Sequence, residues 1–226
     1  MSVQFTHLLP HSLEGRGFVL FNNRDYIAAK RMTFEQYLET DTEGRAADWV
    51  NGEMRIYPSR SLAHQSLLVF LLSVVGGFVE AMDLGCVLSA GYAMRASPTG
   101  NTREPDLVFV KRENERRLTY SHLAGPADIA IEIISPESAG RDYVDKFREY
   151  CDAGVPEYWV IDSRSGMPNA DFFRIEDGHY VRALPDTAGI YRSDTLPAFW
   201  LRLSWLWEDE PYGHAALKEI LAGPPA

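Results

Sequence analysis

Two carboxylates in the sequence lie where acidic side chains are rare, inside or directly beside apolar runs. Glu132 lies within IAIEIIS, and Asp106 follows Pro105 just before LVFV. A buried carboxylate is costly unless it is paired, protonated or bound to a metal. Two or three carboxylates around one point suit a hard divalent cation such as Mg²⁺. If both runs are strands of one small sheet, the two residues can meet at its end and form a Mg²⁺ or Mn²⁺ site.

Lys146 is a third residue that could take part in this chemistry. It lies three positions after Tyr143 and four before Tyr150, at the edge of an apolar helical stripe. Its stem can pack along the core while its ammonium reaches the end of the sheet. Structural interpretations stay open: Glu132 at a strand end or sheet edge, Asp106 in a turn, and Lys146 on the surface. For Lys146, the helix alone favours the surface interpretation.

The elements that would position these residues follow from hydrophobic patterning. Strands are predicted at about 85–95, 105–110, 127–135 and 157–162. In the third strand alternate side chains point to opposite faces, so Glu132 shares a face with Ala130 and Ile134.

A helix is predicted between the last two strands, at about 141–153. Its apolar face contains Tyr143, Val144, Phe147, Tyr150 and Cys151. Gly154 is placed to end the helix. Two continuous apolar strands with a helix between them predict a crossover and a parallel pair.

Further local signals complete an α/β domain with a mixed sheet, helices on its faces and hairpin additions. They are a capping box from Thr33 to Gln36, a hairpin turn at Asn51-Gly52, an apolar helix over 62–81, and a second hairpin over 171–184 that turns at Asp177-Gly178. Within the apolar helix, residues 67–79 are interpreted as a buried segment too short to span a bilayer, so no membrane association is expected. The charged segment 111–117 is predicted to be a solvated loop.

Composition limits the possible functions. The chain has 226 residues, which fit one large domain, and its 22 Lys+Arg against 32 Asp+Glu give a net charge of −10. This charge argues against a generally basic protein that coats nucleic acid. It does not exclude an enzyme that meets phosphate with a bound metal ion. Cys86 and Cys151 are too few for a disulfide scaffold and predict reduced thiols in a cytoplasmic protein.

The order of the motifs resembles that of a large bacterial family of restriction-endonuclease-like proteins within the PD-(D/E)XK nuclease superfamily. The motifs are NGE in the hairpin, PDLVFV, IEIISPES and RDYVDKFREYCDAGVPEYWVID. The resemblance implies a restriction-endonuclease-like α/β core over residues 32–208, with a mixed central β-sheet flanked by helices and with β-hairpin additions. Residues 1–31 would then be an N-terminal extension, and residues 209–226 a C-terminal tail with a short helix.

The resemblance also implies roles for the acidic residues and the lysine. Asp106 is similar to the metal-binding aspartate of the PD motif, and Glu132 to the acid of the (D/E)XK strand. The superfamily usually places its lysine two residues after that acid, where this chain has Ile134. The family pattern implies that Lys146 takes over this role. Asp48 is similar to a further acidic position and is expected to be a metal ligand.

Three more residues match positions of the family pattern. Glu53 is expected to take part in catalysis, although a charge flanking a hairpin turn explains it equally well. His64 could contact phosphate or a carboxylate, but a histidine at a helix start is interpreted as structural. Asp142 also suits the first turn of a helix.

Together these features predict a Mg²⁺-dependent or Mn²⁺-dependent endonuclease that hydrolyses DNA, in preference to RNA. A homodimer is expected because cutting both strands needs two active sites related by a two-fold axis. Two alternatives stay open. One is a catalytically silent restriction-endonuclease-like fold that acts as a binding or interaction module. The other is a metal-dependent hydrolase of a smaller phosphodiester.

Overall fold

The computed structural model describes residues 15–20, 25–162, 164, 168–208 and 211–224. Its strands are β1 (Val19–Leu20), β2 (Ala28–Arg31), β3 (Ala47–Val50), β4 (Glu53–Ile56), β5 (Gly85–Ser89), β6 (Ala93–Arg95), β7 (Leu107–Lys111), β8 (His122–Ala124), β9 (Ile129–Ile134), β10 (Glu157–Asp162), β11 (Asn169–Glu176), β12 (His179–Ala183), β13 (Ile190–Arg192) and β14 (Trp200–Arg202). Its α-helices are α1 (Phe34–Leu38), α2 (Leu62–Leu71), α3 (Gly77–Ala81), α4 (Phe147–Ala153) and α5 (Gly213–Ala222). Two π-helical turns, Leu72–Gly76 and Arg141–Lys146, directly precede α3 and α4.

A six-stranded mixed sheet forms the centre of the molecule, in the order β12-β11-β10-β9-β7-β5. Strands β9 and β10 pair in parallel, and the other neighbours pair antiparallel. The helical segment 141–153 connects the parallel pair and ends at Gly154, whose φ of +79° is easily adopted without a Cβ. The predicted crossover and the mixed α/β fold are confirmed.

The two faces of β9 contact different parts of the core. Ile129, Ile131 and Ile133 pack with the helices of segment 62–81 and with residues of the C-terminal region. Ala130 and Ile134 lie on the other face, in a second apolar cluster that contains Tyr150 and Tyr158. This alternation confirms the sequence pattern and places Glu132 on the face covered by segment 141–153.

A second sheet, with the antiparallel order β1-β2-β4-β3, lies on the N-terminal side of the chain. The predicted hairpin is its β3–β4 pair, and both turn residues, Asn51 and Gly52, have positive φ as a tight hairpin turn requires. Strands β1 and β2 belong to the segment interpreted as an N-terminal extension, yet they add to this sheet. The capping box of α1 is also present, since Thr33 and Gln36 exchange both hydrogen bonds.

Two local predictions are wrong. The predicted strand at 85–95 is divided into β5 and β6, which belong to different sheets, because the chain turns at Gly91 with φ of +95°. Strand β6 pairs instead with β8. The charged segment 111–117 has no buried residue in its helical part, as expected for a solvated segment, but it is not a loop, since Arg112–Arg117 forms a 3₁₀ helix.

The predicted apolar helix over 62–81 is confirmed as one continuous helical segment. It has 20 residues and mean hydropathy 1.9, so by length and composition it could cross a membrane, and the prediction that it is too short is wrong. Core helices have the same character. Here 44% of its most apolar window is buried, and side chains such as Leu71, Val74 and Phe78 form the centre of the core against β9.

A buried carboxylate, Glu157, joins β10 to the chain around β13. Its side chain accepts hydrogen bonds from Trp159 Nε1 at 2.7 Å, from the hydroxyl of Tyr191, from Ser193 Oγ at 2.9 Å and from the Thr195 N–H at 3.0 Å. Among the described residues, no cation forms an ion pair with it. Neutral donors alone therefore satisfy this carboxylate.

Candidate active site

Asp106 and Glu132 face each other across the β7–β9 pair. Leu107 pairs with Ile131, so the antiparallel register places Asp106 opposite Glu132. The Ile133 N–H donates to Asp106 Oδ2 at 2.8 Å, which ties the aspartate to β9. Both carboxylates are 1% exposed. The structure therefore brings together the two acids that the sequence predicted would meet at the end of a small sheet.

Asp106 has two basic neighbours at the start of α2. His64 Nε2 lies 3.2 Å from Asp106 Oδ2, and Arg60 Nη2 lies 3.2 Å from Asp106 Oδ1. Burial alone would raise the pKa of Asp106, but the hydrogen bond with His64 and the charge of Arg60 lower it to about 2. Asp106 is therefore ionised at neutral pH. His64, interpreted from the sequence as structural, also contacts this carboxylate.

Glu132 is held from the side of segment 141–153. Lys146 Nζ lies 2.7 Å from Glu132 Oε2, and the Tyr150 hydroxyl donates to Oε1 at 3.0 Å. Burial raises the pKa of Glu132 to about 8, opposed by Lys146 and reinforced by Asp142 and Asp106. The pKa of Glu132 therefore lies above its usual value, and a bound cation would lower it again.

Lys146 is 2% exposed, so the interpretation as a surface lysine is wrong. Its ammonium contacts Asp142 Oδ1 at 3.2 Å as well as Glu132. Burial would lower the pKa of Lys146, but the two carboxylates raise it above its usual value. The lysine lies in a π-helical turn, so α-helical spacing did not predict its position, and Val144, assigned to the buried stripe, is 61% exposed.

Ile134, the position of the usual superfamily lysine, is buried in the apolar cluster beneath segment 141–153. It lies on the same face of β9 as Glu132, two residues further along. The ammonium of Lys146 reaches Glu132 from the helical segment instead. The geometry thus allows the lysine role to pass from the strand to the helix.

Asp48 lies near this cluster, but protein groups bind both of its oxygens. Oδ2 accepts from the Tyr57 hydroxyl at 2.9 Å and from Arg103 Nη1 at 3.0 Å, and Oδ1 accepts from the Glu104 N–H at 3.0 Å. Arg103 also binds Glu149 with two hydrogen bonds, at 2.7 and 2.8 Å. A metal ion at Asp48 would have to replace some of these partners.

Asp48→Asn is expected to destabilise the protein by about 2 kcal/mol at neutral pH, since it removes a buried charge-assisted contact with Arg103. Burial by itself would raise the pKa of Asp48. The charges of Arg103 and Lys146 lower this pKa by more than burial raises it, so it lies below the usual value. A carboxyl group whose pKa is lower in the folded state than in the unfolded state stabilises the fold at pH values above the ordinary aspartate pKa. This stabilisation is lost as the pH falls through the pKa of the folded state. Urea unfolding at neutral and acid pH measures the difference, which should shrink in acid.

Metal titration of the same variant tests the sequence prediction for Asp48. If Mg²⁺ raises the melting temperature of the wild type but not of Asp48→Asn, Asp48 is a metal ligand despite its protein partners. If the shift persists, its role is structural.

Glu53 lies apart from these contacts. It forms an ion pair with Arg55 at 3.1 Å on the same strand, and its side chain is 26% exposed. Among the described residues, no hydrogen bond or ion pair joins Glu53 to Asp106, Glu132 or Lys146. Its predicted catalytic role would require a movement or a bound water.

The donor set at the end of β7 and β9 fits a hard cation. Asp106 Oδ1 is buried and accepts no hydrogen bond from the described residues, although Arg60 Nη2 lies 3.2 Å away. Carboxylate oxygens are the ligands that Mg²⁺ prefers. Among the described residues, no three His, Cys, Asp or Glu side chains are already grouped around a metal position. Asp106 and Glu132 would therefore hold an ion together with backbone oxygen or water.

Sequence reasoning missed several contacts of the site. Arg60 and Arg103 are not among the residues singled out from the sequence, although each pairs with a buried acid. Tyr150 was interpreted as a core aromatic, which is correct, but its hydroxyl also binds Glu132. The one sequence signal for Arg60 was its position as a basic residue just before the start of a helix.

Comparison with known proteins shows the family and the fold of the chain. A family model described as "Uma2: Putative restriction endonuclease" matches residues 33–204. A crystal structure from Anabaena variabilis, described as "a putative nuclease belonging to DUF820", has a TM-score of 0.62 and 15% sequence identity, over 78% of this chain and 97% of that one. At that identity the likeness shows the fold alone, which is the restriction-endonuclease-like fold.

No protein with a curated description matches the chain. The family match, however, spans about three-quarters of the sequence and contains Asp106, Glu132 and Lys146. The chain therefore belongs to the Uma2 family of restriction-endonuclease-like proteins, within the PD-(D/E)XK superfamily.

Proposed function

We propose that this protein is a Mg²⁺-dependent endonuclease that hydrolyses phosphodiester bonds of DNA. Its family supports nuclease activity. The observation that carries the finer proposal is the buried constellation in which Asp106 faces Glu132 and Lys146 Nζ lies 2.7 Å from Glu132. Carboxylates and an ammonium at one sheet end are the groups that metal-assisted phosphodiester hydrolysis requires.

The residues of the chain have separate roles in this mechanism. Asp106 and Glu132 would hold Mg²⁺ or Mn²⁺, and His64 would keep Asp106 oriented through its 3.2 Å contact. When bound, the ion polarises the phosphate and lowers the pKa of a coordinated water. Lys146, whose pKa is raised, stays protonated and would stabilise negative charge that develops on the phosphate.

The proposal also covers the oligomeric state of the enzyme, its binding of DNA and its cellular location. A homodimer would present two active sites to the two strands of a duplex. Because the net charge is −10, binding of DNA would rest on the local cations and the metal, and it should weaken as salt rises. The two thiols, Cys86 and Cys151, are unpaired in the structure, which suits the proposed cytoplasmic location.

A thermal melt with and without Mg²⁺ or Mn²⁺ tests the metal site. An ion at 100 times its Kd should stabilise the wild type by about 2.7 kcal/mol, which raises the Tm by about 5–10 °C for a chain of this size. Glu132→Gln should lose this shift because it removes the carboxylate that would bind the ion. Glu219→Gln, a matched change at a half-exposed residue of α5, should keep it.

Cleavage of plasmid and oligonucleotide substrates completes the test. Asp106→Ala should abolish both cleavage and the metal-induced shift, because it removes the carboxylate that faces Glu132. Cleavage that survives in this variant would exclude the proposed mechanism. Glu53→Gln, assayed in parallel, decides whether the sequence-predicted role of Glu53 is real.

One observation favours the second candidate function, a catalytically silent binding module. Cations of the protein already compensate the acids of the site: Lys146 pairs with Glu132, and Arg60 lies beside Asp106. A protein that never binds metal would need its own cations to neutralise these buried carboxylates. A melt that Mg²⁺ and Mn²⁺ both leave unchanged would favour the module.

A further inference from the structure

Arg60 has no role in the mechanism above, yet its guanidinium faces the carboxylate at the centre of the site. Its Nη2 lies 3.2 Å from Asp106 Oδ1, and its side chain is 14% exposed. Arg60 directly precedes Ser61, whose hydroxyl caps α2 by accepting from the His64 N–H at 3.2 Å. The capped helix start therefore holds Arg60 and His64 on the same carboxylate.

The two oxygens of Asp106 have different surroundings. Oδ2 is occupied by His64 and by the N–H of Ile133. Within the described part of the chain, Oδ1 accepts no hydrogen bond, and Arg60 forms an ion pair with it. A cation that binds Asp106 would therefore use Oδ1, the oxygen beside the guanidinium. A cation at Oδ1 and the guanidinium would repel each other in this buried site, so cation binding disfavours the present position of Arg60.

Space for a displaced Arg60 exists beside the site. Arg60 lines a cavity of about 560 Å³ between the N-terminal part of the molecule and α2. The other walls include Arg45, the carboxylates of Asp41 and Glu104, and the polar side chains of Thr42, Gln65 and Ser121. The cavity therefore offers a displaced guanidinium room and carboxylate neighbours, while Arg45 and the polar side chains offer donors to a phosphate.

From this geometry we infer that Arg60 is a phosphate-binding residue. In the free protein it compensates the charge of Asp106, and in the loaded protein it moves into the cavity and binds a backbone phosphate of the nucleic-acid strand beside the scissile bond. A guanidinium suits this task because its planar fork can bind two phosphate oxygens at once. The inference rests on the proposed function, since both the metal and the phosphate belong to that reaction.

If Arg60 has this role, Arg60→Gln should strengthen the binding of Mg²⁺ and weaken the binding of DNA. The dissociation constant for Mg²⁺, from Tm as a function of metal concentration, should fall about tenfold because the competing cation is gone. The Kd for a short DNA duplex, measured with Ca²⁺ in place of Mg²⁺, should rise about tenfold, with a salt dependence reduced by about one phosphate contact. Arg60→Lys keeps the charge and should lie between the wild type and Arg60→Gln in both assays.

Arg192→Gln is the matched control for a lost surface charge. Arg192, on β13, pairs with Asp186 and is 46% exposed, so its loss should leave both constants unchanged. If Arg60→Gln proves too unstable to measure, the Lys variant gives the same opposed changes at smaller size.

The outcomes separate this inference from the proposed function. If Mg²⁺ stabilises the wild type but Arg60→Gln weakens the binding of both Mg²⁺ and DNA, or changes neither, the inference about Arg60 is wrong and the nuclease proposal stands. If Mg²⁺ has no effect on the wild type, the proposed function fails, and the inference fails with it.

Discussion

Lys146→Met is expected to reduce both the stability and the cleavage activity of the protein. The methionine keeps the buried stem but removes the ammonium that contacts Glu132 and Asp142. Leaving buried carboxylates without their cation should lower the free energy of unfolding by about 3–5 kcal/mol. Loss of a charge-stabilising group at the phosphate should reduce cleavage by about 10²–10³-fold. Urea unfolding and single-turnover cleavage, at a temperature where the variant is folded, measure the two effects.

Two further variants distinguish a catalytic lysine from a structural one. Lys146→Arg keeps the positive charge and should recover much of the stability, while its different shape should leave cleavage impaired. Lys146→Met combined with Ile134→Lys moves the ammonium to the usual superfamily position, on the same face of β9 as Glu132. Recovery of cleavage in this double variant supports the transfer of the role. Full cleavage by Lys146→Met alone would remove the lysine from the mechanism.

Glu157→Ala is expected to be the most destabilising change outside the site, by about 3–5 kcal/mol. The substitution leaves buried donors of Trp159, Tyr191, Ser193 and Thr195 without their acceptor. Each unsatisfied donor costs about 1–3 kcal/mol, although such costs do not simply add. Urea unfolding measures the loss.

Two comparisons show whether the hydrogen bonds of Glu157 cause this loss. Glu157→Gln keeps one acceptor oxygen and should lose about half as much stability. Glu176→Ala, at a half-exposed glutamate on β11, should change stability by less than about 0.5 kcal/mol. Equal stability of Glu157→Ala and the wild type would show that solvent can satisfy these donors. Because Glu157 binds Trp159 and Tyr191, which belong to the apolar cluster on the other face of the sheet from Glu132, folded Glu157→Gln should keep the metal-induced shift.

Local features of the fold were predictable because neighbouring residues decide them. Thr33 and Gln36 form a capping box, and Asn51 and Gly52 turn a hairpin, since both depend on short-range backbone geometry. The alternation along β9 follows from the two-residue period of a strand, so it also predicted which face holds Glu132. Residues 85–95 show the limit, because the turn at Gly91 divides a run that hydrophobic pattern alone reads as one strand.

The candidate site was predictable in its residue types and only partly in its contacts. The sequence by itself determined that Asp106 and Glu132 lie beside apolar strands, because acids in such runs need a partner. Only the tertiary structure decided which partners they have. The π-helical turn brings Lys146 to Glu132, and the start of α2 brings Arg60 to Asp106. These contacts join segments far apart in the chain, so their geometry depends on how the sheet and helices pack, which no local residue pattern encodes.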